Sequence, residues 1–204
     1  MIGIVSYGVG NLFSLTCSIK KVGGEVVVSS DEKVLSACDK IVLPGVGAFG
    51  EAVDKLRASG LDKLVLDSAQ KGKPVLGICL GMQLLFEKSY EFGEHKGLGL
   101  IKGEILPFQE AFKSKNIDLK IPQIGWNSLD FCKEHYLTSN VKEGDFVYYV
   151  HSFYAPKGDY TVASSDYGVT VTGIAENGCV SGCQFHPEKS GEVGLNILRA
   201  FVQK

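Results

Sequence analysis

Residues 74–83 read Pro-Val-Leu-Gly-Ile-Cys-Leu-Gly-Met-Gln, and this run constrains the fold more than any other. An apolar strand-type segment, Pro74–Ile78, meets a Gly-x-Cys-x-Gly frame, and helix-compatible residues resume at once. Such a strand–turn–helix junction lifts a nucleophile above the edge of a sheet. Gly77 and Gly81 are needed because the turn crowds the backbone on both sides of Cys79. At a helix start the partial positive charge of the unpaired N–H groups favours thiolate over thiol. A thiol so placed is a candidate acyl-transfer nucleophile and needs a base. The segment Gln184-Phe185-His186-Pro187-Glu188 offers one, and together they suggest a Cys-His-Glu hydrolase.

In an extended segment residues i and i+2 face the same side, which would turn His186 and Glu188 into one cleft. Glu188 would then accept from one ring nitrogen and leave the other for Cys79. A third element, Leu43-Pro44-Gly45-Val46-Gly47-Ala48-Phe49-Gly50, follows the apolar segment Lys40–Leu43. Its glycines let backbone N–H groups turn towards a reacting carbonyl, so Val46 and Gly47 are candidate oxyanion donors together with the N–H of Leu80. The Lys-Ser/Thr ending of a phosphate loop is absent there. Tyr7-Gly8-Val9-Gly10-Asn11 fits only part of a dinucleotide fingerprint, whose third glycine would fall at Phe13, and reads as a tight strand-to-helix turn.

Strand segments at Ile2–Ser6, Glu25–Val28, Lys40–Leu43 and Pro74–Ile78 alternate with helical spacing over Asn11–Val22, Glu51–Ala58 and Leu61–Gln70. That alternation predicts a parallel sheet covered on both faces, with ligands collecting beyond the strand C-termini. From about residue 96 the pattern changes. Gly103–Pro107, Ile121–Asn127, Phe146–Phe153, Tyr160–Ser165, Val169–Ala175 and Cys179–Phe185 read as strands, and Glu192–Val202 as a closing helix. The expected architecture is α/β and three-layered: a mostly parallel central sheet flanked by helices, continued by an antiparallel or mixed C-terminal half. No linker or repeat divides it, so residues 1–204 are read as one domain.

The chain is 45% hydrophobic and 22% charged with a net charge of −2, which argues against nucleic acid or an anionic membrane as the main partner. No apolar run approaches the roughly 20 residues of a membrane span, and the first residues read as a strand rather than a signal core. Six scattered cysteines fit no disulfide framework and point to a reducing cytoplasm. Cys179 and Cys183 read as core thiols, with a redox or metal role as the alternative. Nothing calls for a metal or an organic cofactor.

Taken together, Gly77-Ile78-Cys79-Leu80-Gly81-Met82-Gln83 and Phe185-His186-Pro187-Glu188-Lys189-Ser190 resemble the class I (triad, flavodoxin-like) glutamine amidotransferases. Tyr7–Asn11, Pro44–Gly50, Gly125-Trp126-Asn127 and Tyr149-Val150-His151-Ser152 bring the resemblance nearest to the glutaminase subunits of imidazole glycerol phosphate synthase. It spans residues 2 to 202, with Ser6 where many relatives carry aspartate. The resemblance implies hydrolysis of L-glutamine to glutamate and ammonia by Cys79, His186 and Glu188. It implies that Gln83 and Glu91, with backbone around Ser152 and Phe153, hold the amino-acid end. The implied partner is a separate (β/α)8-barrel cyclase subunit, met at Asn11, Trp126, Tyr148 and Lys189, which consumes the ammonia in histidine biosynthesis. It further implies that the peptide near Val46 must reorient before it stabilises an oxyanion, a flip that Gly45 and Gly47 make sterically cheap.

Several residues carry a second reading. Trp126 in an apolar strand is ordinarily core, Glu91 fits a solvated helix end, and His151 reads as a plain strand histidine rather than a catalytic one. Of the adjacent Tyr148 and Tyr149, one faces in and the other out. An amidotransferase serving another acceptor, a cysteine peptidase and a silent scaffold are the competing functions.

Overall fold

The computed structural model describes residues 1–204. In chain order its elements are β1 (Ile2–Val5), α1 (Leu12–Lys21), β2 (Val26–Ser29), α2 (Glu32–Ser36), β3 (Lys40–Leu43), α3 (Phe49–Ala58), α4 (Leu61–Gln70), β4 (Val75–Ile78), α5 (Leu80–Leu84), β5 (Phe86–Ser89), β6 (His95–Lys96) and β7 (Ile101–Pro107). They continue with α6 (Phe108–Lys115), β8 (Gln123–Ser128), β9 (Asp130–Phe131), β10 (Phe146–His151), β11 (Phe153–Tyr154), β12 (Thr161–Asp166), β13 (Thr170–Asn177), β14 (Val180–Cys183) and α7 (Gly191–Gln203).

An eight-stranded sheet, ordered β2-β1-β3-β4-β14-β13-β12-β9, forms the middle layer. The first five of these strands are parallel, and β13, β12 and β9 add on antiparallel. Period-two alternation divides the strand side chains between two cores. Val5, Ile41, Leu43 and Val75 pack with Phe49, Val53, Leu56 and Leu64 of α3 and α4. Ile4, Val42, Leu76 and Ile78 pack with Leu15 and Ile19 of α1 and Ile197, Leu198 and Phe201 of α7. Both faces are therefore buried, as an apolar parallel strand requires. No helix is long and apolar enough to cross a membrane.

The C-terminal half departs from the expectation that all its strands continue this sheet. Only β9, β12, β13 and β14 do; β8 and β10 form a two-stranded ribbon, and β11-β7-β5-β6 a separate small sheet. The central strands β4 and β14 already pair on both sides, so a further strand finds a free edge only at the outer ends. The segment read as one strand, Phe146–Phe153, breaks at Ser152 into β10 and β11. Two short helices escaped the sequence reading. Asp31 caps α2 by accepting from the Lys33 N–H at 2.7 Å, and α6 buries Phe108 and Phe112 one turn apart.

Candidate active site

The β4 strand delivers Cys79 over the middle of the sheet. Cys79 has φ +53° and ψ −113°, a left-handed conformation that costs a non-glycine residue about 1–3 kcal/mol. It is held by its own backbone: the N–H donates to the Cys183 carbonyl at 2.7 Å, and the C=O accepts from Gln83 N–H at 3.1 Å. Glycine at 81 is obligatory, because a Cβ there would overlap the Leu43 carbonyl. A Cβ on Gly45 would sit 2.6 Å from the Gly81 nitrogen. The elbow and the Pro44–Gly47 turn thus touch backbone to backbone.

His186 follows β14, which pairs with β4. Its Nδ1 lies 2.8 Å from Glu188 Oε1, and both side chains are almost wholly buried, at 4% and 3% exposure. The route to this pairing differs from the expected extended segment. His186 itself is extended, but Pro187–Lys189 form a 3₁₀ turn that folds Glu188 back onto the ring. Ser190 Oγ donates to the His186 carbonyl at 2.7 Å and accepts from Tyr148 N–H at 3.0 Å. The His186 N–H donates to the Tyr148 carbonyl at 2.9 Å. Burial pulls the imidazole down, but its hydrogen bonds and charge interactions with Cys79 and Glu188 outweigh it and carry the pKa up to about 10. A ring that keeps its proton at neutral pH is suited to hand it to a leaving amine.

A cavity of about 280 Å³ opens between these elements, lined by Val46, Gly47, Cys79, Leu80, Gln83, Glu91, Pro122, Val150, His151, Ser152, Phe153 and His186. A wider groove, about 720 Å³, follows Phe131–Ser139 and contains none of them. Leu80 begins α5, so its N–H has no intrahelical acceptor. On the opposite wall Gly47, at φ +98°, leaves open space around its Cα, while the Tyr7 hydroxyl donates to the Pro44 carbonyl at 2.7 Å. Glu91 is no solvated helix end. It follows β5, half-buried, and accepts from the Phe49 N–H at 2.6 Å; burial raises its carboxyl above the usual range despite that bond. Gln83 spends Nε2 on the Phe153 carbonyl at 2.9 Å and on Gln184 Oε1 at 3.0 Å. Its own Oε1 remains an acceptor for an ammonium group.

Residues 7–204 match the family model for glutamine amidotransferase class-I. The chain belongs to the class I glutamine amidotransferases. Curated relatives of this amidotransferase include two named imidazole glycerol phosphate synthase subunit HisH. The one from Wolinella succinogenes is 47% identical over 100% of this chain and 99% of its own length. The one from Aquifex aeolicus is 48% identical over 98% of this chain and 95% of its own. Among solved structures, one described as a glutamine amidotransferase superposes with a TM-score of 0.74 at 16% identity, covering 98% of this chain and 97% of that one. The structure described as PurLQS from Thermotoga maritima gives 0.72 at 20% identity, covering 99% and 97%. At those identities the structural likeness concerns the fold.

The amidotransferase carries a surface patch beside the site. Trp126 is 52% exposed rather than core. It stands opposite Tyr148 across the β8–β10 ribbon with ring centroids 5.9 Å apart, and Lys189 Nζ lies 5.9 Å from the Tyr148 ring centroid. Tyr149 is the inward partner, fully buried, its hydroxyl 2.8 Å from Ser165 Oγ. Asn11 caps α1, accepting from Ser14 N–H at 3.3 Å, and α1 packs against the turn that carries Lys189. Sequence reasoning assigned no role to Gln184, Pro122 or Val150, and it placed His151 outside the site. Gln184 is fully buried with Nε2 3.9 Å from Cys79 Sγ. His151 is buried with Nδ1 2.8 Å from the Phe153 carbonyl, and burial pushes it down to about 4. A glutamine two residues before His186 was the one signal the sequence offered.

Proposed function

We propose that this chain is the glutaminase subunit of an imidazole glycerol phosphate synthase. It hydrolyses the side-chain amide of L-glutamine and passes the ammonia to a cyclase subunit in histidine biosynthesis. The observation that carries the chemistry is Cys79, strained at its elbow, lining one cavity with His186 of the buried His186–Glu188 pair. The names borne by full-length relatives favour this acceptor over others.

Cys79 attacks the amide carbon, and the C=O electron pair moves onto oxygen as the S–C bond forms. The N–H of Leu80 and one from the Val46–Gly47 turn stabilise that oxyanion. His186, oriented by Glu188, gives its proton to the leaving nitrogen as the C–N bond breaks, releasing ammonia and a thioester. Neutral His186 then takes a proton from water, whose oxygen attacks the thioester carbon; glutamate leaves and the proton returns to the Cys79–His186 pair. Gln83 Oε1 and the Glu91 carboxylate hold the substrate ammonium, while the backbone at Ser152 and Phe153 receives the carboxylate.

Ammonia is a nucleophile only while unprotonated, so a sealed route to the acceptor site is required. A (β/α)8-barrel cyclase docks on the patch of Asn11, Trp126, Tyr148 and Lys189. The ribbon that carries Trp126 and Tyr148 outward lines the cavity with Val150 and His151. Gly45 is packed against Gly81, so the peptide near Val46 turns about its Gly47 end, where φ is +98° and a Cβ would meet nothing, when the partner binds. The test is glutamate release by the chain alone and with the cyclase carrying its phosphoribosyl ligand, Cys79→Ala serving as blank. A large rise in the loaded complex is expected. Turnover indifferent to the cyclase overturns the choice of partner, and no turnover in either state overturns the glutaminase itself.

A further inference from the structure

Gln184 lies outside the Cys-His-Glu set, yet its side chain touches two parts of the site. It is 0% exposed, in the short stretch between β14 and His186. Its backbone N–H donates to the Gly173 carbonyl at 2.8 Å, which fixes the stem. Its Oε1 accepts from Gln83 Nε2 at 3.0 Å, and its Nε2 lies 3.9 Å from Cys79 Sγ. The amide orientation follows from the neighbours. Gln83 must present Nε2, because its other partner is the carbonyl of Phe153, 2.9 Å away, which only accepts. Gln184 must therefore present Oε1 to Gln83 and is left with Nε2 towards the sulfur. That fixes Gln83 in turn, with its own Oε1 as the remaining acceptor.

We infer that Gln184 is a positioning residue of this glutaminase, setting the amide of Gln83 for the substrate ammonium and donating an N–H to the Cys79 sulfur. The inference rests on the glutaminase reading above. Sulfur is a weak, long-range acceptor when neutral and a better one as thiolate, so the N–H acts on the charged nucleophile. A buried glutamine meets both demands because it carries a donor and an acceptor on one planar group. Methionine has its length with no donor and only a weak thioether acceptor, and glutamate keeps the acceptor without the donor.

The experiment compares Gln184→Met and Gln184→Glu with the parent chain in the cyclase complex. It reads kcat and KM for glutamine, and separately the pH midpoint of Cys79 alkylation by iodoacetamide. Alkylation needs no turnover, so it reports on Gln184 even if the glutaminase reading fails. Loss of the acceptor in Gln184→Met raises KM about three- to tenfold, the worth of one hydrogen bond; Gln184→Glu keeps KM within about twofold. Both variants raise the alkylation midpoint, Gln184→Glu more, since a carboxylate replaces the donor beside the sulfur. An active parent complex whose variants share its KM and midpoint, losing only kcat or melting temperature, reduces Gln184 to a packing residue and overturns the proposal. An inactive parent complex strikes at the glutaminase reading instead, and the alkylation midpoints still decide the contact with sulfur.

Discussion

Replacing Glu188 by glutamine keeps the shape of the side chain and removes the charge on which His186 relies. Oε1 of Glu188 holds Nδ1 at 2.8 Å, and its other oxygen has no partner in the chain. The ordinary imidazole value of 6.5 rises to about 10 in the fold. At about 1.4 kcal/mol per pH unit this is roughly 5 kcal/mol in favour of imidazolium, shared between Cys79 and Glu188 against burial. With one of the two gone, the alkaline limb of kcat should fall by about one to two pH units. A ring freed from its orienting carboxylate should lose much of the roughly 10²–10⁴ in rate that a positioned acid–base supplies. Stability follows the same charge. Because the folded value lies above the ordinary one, the stabilisation is fully present below pH 6.5 and is lost as pH rises towards about 10. The parent chain should therefore melt at falling temperature across that interval, and Glu188→Gln should show a shallower decline. Glutamate release by the loaded complex and thermal melts, both taken across that pH interval, supply the data. An unchanged alkaline limb in the variant would refute Glu188 as the group that keeps His186 protonated.

Gly81→Ala drives a methyl group into the Leu43 carbonyl, so it should destabilise the fold by about 1–3 kcal/mol or more, measured by denaturant titration; a variant as stable as the parent would show the elbow to be loosely packed. Trp126→Ala removes a half-exposed ring and should weaken cyclase affinity by about 2 kcal/mol with the melting temperature unchanged; unaltered affinity in a calorimetric titration would move the docking surface elsewhere. Tyr7→Phe deletes the hydrogen bond to the Pro44 carbonyl and should cost about 1 kcal/mol of stability, lowering kcat in the complex while KM for glutamine holds. A variant with parental kcat would mean that the Pro44–Gly47 turn needs no such anchor.

The local features of this chain were legible because local sterics impose them. Gly77 and Gly81 flanking a cysteine between strand and helix can satisfy little other than an elbow, and the alternation of β1 through β4 with α1, α3 and α4 follows from hydrophobic periodicity. The later strands were also found as segments, but period two says nothing about which edge a strand joins. Only the packed fold shows that β9, β12, β13 and β14 join the central sheet while β8 with β10, and β7 with β5, β6 and β11, build sheets of their own. The same limit applies within the site. A His-x-Glu pair is compatible with an extended strand or a 3₁₀ turn, and the fold takes the turn, in which Ser190 bridges the His186 carbonyl and the Tyr148 N–H. Trp126 is apolar enough for a core, and only the ribbon's outward face shows it to be surface. Glu91 and Gln184 depend on contacts 42 and 105 residues away in the chain. The sequence by itself determined the elbow and the parallel half, whose causes lie within a few residues. The tertiary structure alone decided strand partners, side-chain exposure and the buried amide network, because these depend on which surfaces remain free once the rest has packed.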